Sequence, residues 1–243
     1  MGPATEPIRR HGRVGRWFHA AVYLTVLPLM ATGWWLIVGR EGQQSPLARL
    51  AGMSDAHLHR LLGWALAGAT LAGLALGARG IPGALRETFR RDRGDGRWLL
   101  RWPRAAFTGR FARHEGEFDP GQRIANVVIA AGLLILIGTG IGLATLHGGH
   151  LFAVLAKVHK WTAIAITPVL LGHILIATGV LPGYRGVWRS MHLGGRVRLG
   201  TARRLWPGWT ERQRPTDLEP PATLHTKVDR ALADEWADHD QPA

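Results

Sequence analysis

Four long apolar segments, separated by polar and arginine-rich stretches, dominate the hydropathy pattern of this chain. They cover residues 17–38, 58–78, 124–146 and 158–181. Each contains about the twenty residues that an α-helix needs to cross the hydrocarbon core of a bilayer. The pattern therefore predicts an all-α fold, an integral membrane four-helix bundle formed by residues 1–204.

The first and fourth segments each carry a proline, Pro28 and Pro168. Membrane helices tolerate proline, because neighbouring helices can satisfy the carbonyls that it frees. The first segment is too long for a cleavable signal peptide and lacks a small-residue cleavage site. We therefore predict that it is a membrane helix like the other three.

The end of the chain has a different composition. Residues 205–243 are polar, and their proline-rich start predicts a poorly ordered cytoplasmic tail. Residues 223–238 have the pattern of a short amphipathic helix. We therefore place the boundary of the membrane domain after residue 204.

The distribution of positive charge predicts the orientation in the membrane. The formal net charge is +13, and nearly all of it comes from arginine. Arginines cluster before the first segment, between the second and third, and after the fourth, whereas residues 39–56 and 147–157 carry few. The positive-inside rule then places both termini in the cytoplasm of a multi-pass protein of the bacterial inner membrane. Topology explains the charge, and no nucleic-acid motif accompanies it, so we expect no nucleic-acid partner.

The chain contains no cysteine. Iron–sulfur clusters, covalently attached c-type haem and disulfides are therefore excluded on this chain. Any haem that it carries is bound non-covalently, as haem b.

Two histidines of the fourth segment, His159 and His173, are the strongest candidates for function. Fourteen residues of helix correspond to about 21 Å of rise and just under four turns, so both imidazoles face nearly the same way. Ionisable residues at membrane depth are costly and usually functional. One histidine near each membrane surface indicates two metal centres stacked across the bilayer.

Other histidines can complete these centres. His19 lies near the cytoplasmic start of the first segment, and His57 and His59 lie near the outer start of the second. The predicted topology pairs His159 with His59 or His57 at an outer haem. It pairs His173 with His19 at an inner haem. A haem iron with two histidine ligands has no open position, so it transfers electrons.

Basic residues near the helix ends are candidates for binding haem propionates. They are Arg16, Arg60, Lys160 and Arg185. Snorkelling of each side chain to lipid headgroups explains the same positions equally well.

Four sequence features together resemble one known family. They are RWFHA at 16–20, the H-x-x-x-G of His59 and Gly63, the His159–His173 spacing, and EFDPGQR at 117–123. Over roughly residues 10–195 the chain resembles the cytochrome b (gamma) subunit of membrane-bound respiratory formate dehydrogenases. EFDPGQR, similar to the F-N-x-G-Q-K of that family, is the most specific feature, because di-haem cytochromes of several families share the histidines. The resemblance implies that His59, rather than His57, binds the outer haem.

The resemblance also implies partners and a second substrate. The partners are an iron–sulfur (beta) subunit outside the membrane and a molybdenum or tungsten catalytic (alpha) subunit that oxidises formate. This chain would then pass electrons to quinone and hold no formate-oxidising residue. The quinone site implied by the family consists of Phe118, Asp119, Gly121 and Gln122, beside His173.

Asp119 departs from the asparagine of that family. A carboxylate can accept a hydrogen bond from a quinol or relay a proton. An aspartate before a proline at a helix start is also a common N-terminal cap. The two roles are compatible.

Other functions fit the same pattern. The cytochrome can serve a nickel–iron hydrogenase or a thiosulfate reductase, or act alone as a cytochrome b561-like quinol oxidase. A haem or metal transporter would also place histidines in membrane helices. A transporter needs an aqueous path, which these very apolar helices do not suggest.

Overall fold

The structure, a computed structural model, describes residues 7–39 and 42–213. This part of the chain contains two short β-strands and ten α-helices. The strands are β1 (Pro7–Arg9) and β2 (Arg196–Arg198). The helices are α1 (Arg13–Val38), α2 (Pro46–Ala51), α3 (Asp55–Gly77), α4 (Ile81–Thr88), α5 (Asp95–Thr108), α6 (Pro120–Thr145), α7 (Gly149–Ala177), α8 (Arg189–His192), α9 (Leu199–Leu205) and α10 (Pro207–Arg212).

Four helical stretches are long and apolar enough to cross a membrane. They are α1, α3 continued through α4, α6 and α7, and α6 is the most apolar, with a mean hydropathy of 2.5. Pro28 and Pro168 lie inside continuous helices. The predicted all-α, four-helix membrane fold is confirmed.

The membrane helices form two antiparallel hairpins, α1 with α3 and α6 with α7. Glycines allow the close approach within each hairpin. The ring of Phe18 in α1 occupies the space that a Cβ on Gly73 of α3 would need, and a Cβ on Gly132 of α6 would lie 2.5 Å from Ile166 of α7. A small buried core of Val26, Leu66, Ile166 and Leu170 joins the hairpins. Each hairpin is therefore tightly paired, and the space between the hairpins is available for a site.

The fourth membrane helix begins earlier than predicted. The segment 147–157, expected as a loop, is helical from Gly149 onward. Gly148, which precedes the helix, and Gly149, its first residue, both have positive φ, at 91° and 85°. Residues 151–156, LFAVLA, are themselves apolar, so the apolar stretch starts before residue 158 and continues the helix towards its start. His159 therefore lies ten residues inside α7 rather than at its start.

The arginine-rich end of the bundle is closed by a compact cap. Strand β1 pairs antiparallel with β2, so the two ends of the membrane domain meet. The guanidinium of Arg10 lies between the rings of Trp206 and Trp209, at 4.5 Å and 4.4 Å from their centroids. Both tryptophans belong to a buried cluster with Tyr184 and Val197.

The cap extends the packed structure beyond the boundary predicted after residue 204. Residues 205–212 form the end of α9 and all of α10, and Leu205, Trp206 and Trp209 are buried. The apolar surface of these side chains holds the segment against the bundle even though its neighbours are polar. The rest of the predicted tail, including 223–238, lies outside the described residues.

The segment between α3 and α6 is anchored by a buried arginine. The guanidinium of Arg123, in the first turn of α6, donates to Asp95 Oδ1 at 2.7 Å and lies 3.6 Å from Asp92. In the same region, Nε2 of the buried His114 lies 2.7 Å from the carbonyl oxygen of Leu205. The Arg123 contacts fix the start of α5 against the start of α6, and the His114 contact joins the segment after α5 to the end of α9.

Candidate functional site

His59 of α3 and His159 of α7 face each other across the gap between the hairpins. Their ring centroids are 6.2 Å apart, and the rings are inclined at 80°. Imidazole nitrogen binds a metal at about 2.0 Å, so two rings on opposite sides of one metal have centroids roughly 6 Å apart. The outer pair therefore has the spacing of two axial ligands of one metal.

Two threonines fix the orientation of these rings. Nδ1 of His59 lies 2.9 Å from Oγ1 of Thr32, and Nδ1 of His159 lies 2.8 Å from Oγ1 of Thr139. Each threonine hydroxyl also donates to a carbonyl four residues earlier in its own helix, at 2.9 Å and 2.7 Å. Because the single hydroxyl proton is used there, each threonine oxygen accepts the Nδ1 proton of its histidine. The tautomer that results leaves Nε2 of both rings free to bind a metal.

A largely apolar cavity of about 540 Å³ adjoins the outer pair and is lined by all four membrane helices. Glycines keep it open: a Cβ on Gly33 would lie 3.2 Å from the ring of His59, and one on Gly140 would lie 3.4 Å from that of His159. Gly63 also lines the cavity, and no atom lies within 4 Å of a Cβ placed there. The volume and apolar lining suit a large flat cofactor.

The inner pair consists of His19 of α1 and His173 of α7. Their ring centroids are 6.3 Å apart, close to the spacing of the outer pair. Nδ1 of His19 is buried and has no hydrogen-bond partner among the described residues. A buried imidazole nitrogen without a protein partner is suited to bind a metal. The inner pair therefore also fits two axial ligands.

A histidine that the sequence did not predict lies beside the inner pair. The ring centroid of His192, in α8, is 6.4 Å from His19 and 5.8 Å from Tyr23. His192 lies outside the apolar segments, so hydropathy and helical spacing give no signal for it. Its position depends on the fold of the cytoplasmic end.

The two pairs are arranged across the membrane. His159 and His173 belong to the same continuous helix, so about 21 Å of helical rise separates them.

Among the described residues, no three histidine, cysteine or acidic side chains converge as a metal site. A tetrahedral zinc site needs three or four protein ligands, whereas a bis-histidine haem needs two. The donor set fits haem.

Three further residues that the sequence offered for binding haem lie at different places in the structure. His57 is exposed in the first turn of α3, where its N–H donates to Ser54 Oγ at 3.3 Å. His59, and not His57, is therefore the residue that faces His159. Lys160 lines the outer cavity. Nε of Arg16 is buried, with no hydrogen-bond partner in the described part of the chain.

The segment 118–122 forms the start of α6. Oδ1 of Asp119 accepts the N–H of Gln122 at 2.8 Å, so Asp119 caps the helix. Burial raises the pKa of the Asp119 carboxyl, against the opposing effects of that hydrogen bond and of His114 and Arg123. The ring that packs against Gly121 is Trp98, whose Cζ3 atom would lie 3.1 Å from a Cβ at that position.

The helix register relates this segment to the inner histidines. Gly132 contacts Ile166, and Gly140 contacts His159, so residue 173 is level with about residue 125 of α6. His173 therefore lies roughly 6 Å deeper in the membrane than Gly121. No hydrogen bond or ring contact of the described residues joins 118–122 to His173. The segment is near the inner pair but closer to the arginine-rich end of the bundle.

Four membrane helices with facing histidine pairs at two depths are the architecture of a membrane cytochrome b. The family described as prokaryotic cytochrome b561 matches residues 10–194, and the chain belongs to this family. No curated protein matches the chain. The family binds haem b, typically through two histidines. The protein is therefore a b561-type electron-transfer subunit of the bacterial inner membrane, which confirms this part of the sequence prediction.

Proposed function

We propose that this chain is the di-haem cytochrome b subunit of a membrane-bound formate dehydrogenase. It would carry electrons from a periplasmic iron–sulfur subunit to quinone near the cytoplasmic face. The observation that supports transmembrane electron transfer is the pair of histidine sites, one at each end of the bundle and about 21 Å apart along α7.

The proposed ligands are His59 and His159 at the outer haem, and His19 and His173 at the inner haem. A haem with two histidine ligands supplies electron transfer without an open coordination position. The chain contributes the apolar walls that exclude water and the threonines that orient the outer rings. Lys160 at the outer cavity and Arg16 near the inner pair are positioned for propionates, because arginine and lysine pair well with carboxylates.

The choice of formate rests on the EFDPGQR segment and its resemblance to the gamma subunits. Family membership supports a redox partner but suits a hydrogenase and a formate dehydrogenase alike. The partners would be an iron–sulfur (beta) subunit and a molybdenum or tungsten catalytic (alpha) subunit, which bind at the outer end.

The proposed quinone site lies between the start of α6 and the inner pair, with Phe118, Asp119, Gly121 and Gln122 on one side and His173 on the other. The buried carboxyl of Asp119 has a raised pKa, so it can hold a proton near a quinone oxygen. Since Trp98 covers Gly121, quinone would approach this segment from the membrane side rather than over that glycine.

The test is to isolate the chain with its natural partners from membranes through an affinity tag. Formate and hydrogen are then supplied separately, and haem b reduction is followed by absorption. Thiosulfate, an electron acceptor, is added to the reduced protein, and oxidation of haem b is followed. Reduction by formate, with co-purified iron–sulfur and molybdenum or tungsten subunits, is the expected result. Reduction by hydrogen alone would overturn the formate assignment and leave the cytochrome intact. A pyridine haemochrome assay should give two haems per chain, and one haem would overturn the two-site arrangement.

A further inference from the structure

The cytoplasmic helix α5 presents three chemically different faces. One face packs on the protein through Trp98, Ala105 and Ala106, which are all buried. This face holds α5 against the start of α6 and the turn Pro182–Tyr184. The other two faces are exposed.

The second face is apolar and exposed. Leu99, Leu100 and Phe107 expose 38%, 86% and 65% of their surface. At 100° per residue they fall within about 100° of the helix circumference, so they form a single stripe. An exposed apolar stripe on a surface helix indicates a partner or a membrane.

The third face is cationic. Arg97, Arg101 and Arg104 fall within about 60° of one another, directly beside the apolar stripe. All three are exposed, and none forms an ion pair within the part of the chain that the structure describes. Arg90 and Arg123 nearby are paired with carboxylates. Among the residues that the structure describes, no carboxylate therefore neutralises the three arginines of α5.

The depth of the apolar stripe is set by its contact with a membrane helix. Leu99 lines a cavity of about 300 Å³ together with Ile124 and Val127, which belong to the first two turns of α6. Those turns are where α6 enters the bilayer. At the other end of α5, Ala105 and Ala106 lie against Gly183, which follows the end of α7 by six residues. Both ends of α5 are therefore close to ends of membrane helices, which places the apolar stripe near the membrane surface.

We propose that α5 is an interfacial helix that binds anionic phospholipids of the cytoplasmic leaflet. Leu100 and Phe107 enter the acyl region, and Arg97, Arg101 and Arg104 bind headgroup phosphates. An apolar face beside a row of basic residues is the pattern of helices that lie in the plane of an anionic membrane. A second copy of this chain would bring equal positive charges together, so the charge favours lipid as the occupant. The proposal depends on neither the electron donor nor the haem ligands.

The chain has no cysteine, so single spin labels can be introduced without further changes. The full chain is placed in phosphatidylglycerol nanodiscs with a label at Leu100→Cys or at Phe107→Cys. Leu134→Cys, in the middle of α6 and 58% exposed, is the lipid control. Arg203→Cys, exposed on α9, is the water control. Frequent collisions of the spin label with oxygen show that it faces lipid, and frequent collisions with a soluble nickel chelate show that it faces water.

The labels at positions 100 and 107 should match the Leu134→Cys label, with high oxygen and low nickel accessibility. Nickel accessibility equal to that of the Arg203→Cys label would overturn the proposal, because the stripe would face water. Protection from both reagents would also overturn it, because a protein would then cover the stripe.

The headgroup contact is tested separately by charge. The variant Arg97→Gln/Arg101→Gln/Arg104→Gln is compared with Arg196→Gln/Arg198→Gln/Arg203→Gln, which removes the same charge from exposed positions on β2 and α9. Both are extracted from mixed phosphatidylglycerol and phosphatidylcholine membranes, and the retained lipids are measured. Among the lipids retained by the α5 variant, the enrichment of phosphatidylglycerol should be at least about tenfold lower than in wild type, because each arginine is attracted to an anionic surface. Equal losses in both variants would show a general charge effect and contradict a site on α5.

Discussion

The hydroxyl oxygen of Thr139 lies 2.8 Å from Nδ1 of His159, and this contact decides which imidazole nitrogen faces His59. The contact between Thr32 and His59 repeats it on the opposite hairpin. Both threonines come from the helix paired with that of their histidine, so hairpin formation orients the ring. The outer pair is therefore oriented by the protein before a metal binds.

Thr139→Ala should raise the midpoint potential of the outer haem. A hydrogen bond from Nδ1–H makes an imidazole a stronger electron donor, which favours ferric iron. Its loss favours ferrous iron. Redox titration of the haem absorption bands measures the change, and the low-spin spectrum should persist.

Thr139→Ser is the matched control, because serine keeps the hydroxyl and removes only a methyl group. It should retain the wild-type potential. If the serine and alanine variants shift equally, packing rather than the hydrogen bond sets the potential. The same comparison at Thr32 should affect the same haem, since both threonines act on the outer pair.

His59→Ala and His159→Ala should each remove the outer haem and leave the inner one. The geometric reason is the 6.2 Å spacing of their rings. Haem content by pyridine haemochrome should fall from two to one per chain. His57→Ala is the control: its side chain is exposed in the first turn of α3, so it should keep both haems. Loss of haem in His57→Ala would contradict the assignment of His59.

His173→Ala should remove the inner haem, whereas His192→Ala should retain it. Both histidines lie near His19, at 6.3 Å and 6.4 Å. His173 belongs to the membrane helix that also carries His159, whereas His192 is exposed on the short helix α8. Electron paramagnetic resonance of the low-spin ferric haems separates the two outcomes. If His192→Ala loses the inner signal and His173→Ala keeps it, the proposed pairing is wrong.

The membrane segments were predictable because hydropathy is a local property of the sequence. Hydropathy and a fixed rotation per residue place His159 and His173 on one face of one helix. Thr139 was missed because its partner depends on the register between two helices, which no local pattern encodes. Arg10 was missed for the same reason: the tryptophans on either side of it lie almost two hundred residues further along the chain. The start of α7 was predicted too late because the apolar run LFAVLA at 151–156 was assigned to the preceding loop.

Arg10→Ala should destabilise the cytoplasmic cap by roughly 2–4 kcal/mol, since it removes the cation–π contacts of a buried guanidinium to Trp206 and Trp209, each worth about 2 kcal/mol when desolvated. The guanidinium donates to Glu117 Oε1 at 3.0 Å and its side chain is fully buried. Arg9→Ala is the matched control, because Arg9 is the exposed neighbour in the same strand. Thermal unfolding or protease sensitivity of the chain in detergent measures the difference. Equal stability of the two variants would show that Arg10 does not hold the cap.

Asp119→Asn separates the capping role of this residue from a role in proton transfer. Asparagine caps a helix about as well as aspartate, whereas Asp119→Ala should cost about 1 kcal/mol of stability. If the carboxyl carries protons as proposed, Asp119→Asn should slow quinone reduction while both haems stay bound, because an amide cannot take up the proton. Equal quinone reductase rates in wild type and Asp119→Asn would restrict Asp119 to capping.

The raised pKa of Asp119 predicts that the stability of the protein depends on pH, and the Asp119→Asn variant tests this. Burial raises the folded-state pKa of Asp119 above its ordinary value of 3.8. A carboxyl with a raised pKa favours folding in its protonated form, and this stabilisation is lost as the pH rises from about 3.8 through the folded pKa. Wild type should therefore lose stability relative to Asp119→Asn over that range, and the difference should become constant at higher pH. Thermal unfolding of both proteins in detergent across the range measures it, with Asp119→Ala reporting the loss of the cap alone. A constant difference between wild type and Asp119→Asn from acid to neutral pH would mean that the carboxyl titrates normally and is accessible to water.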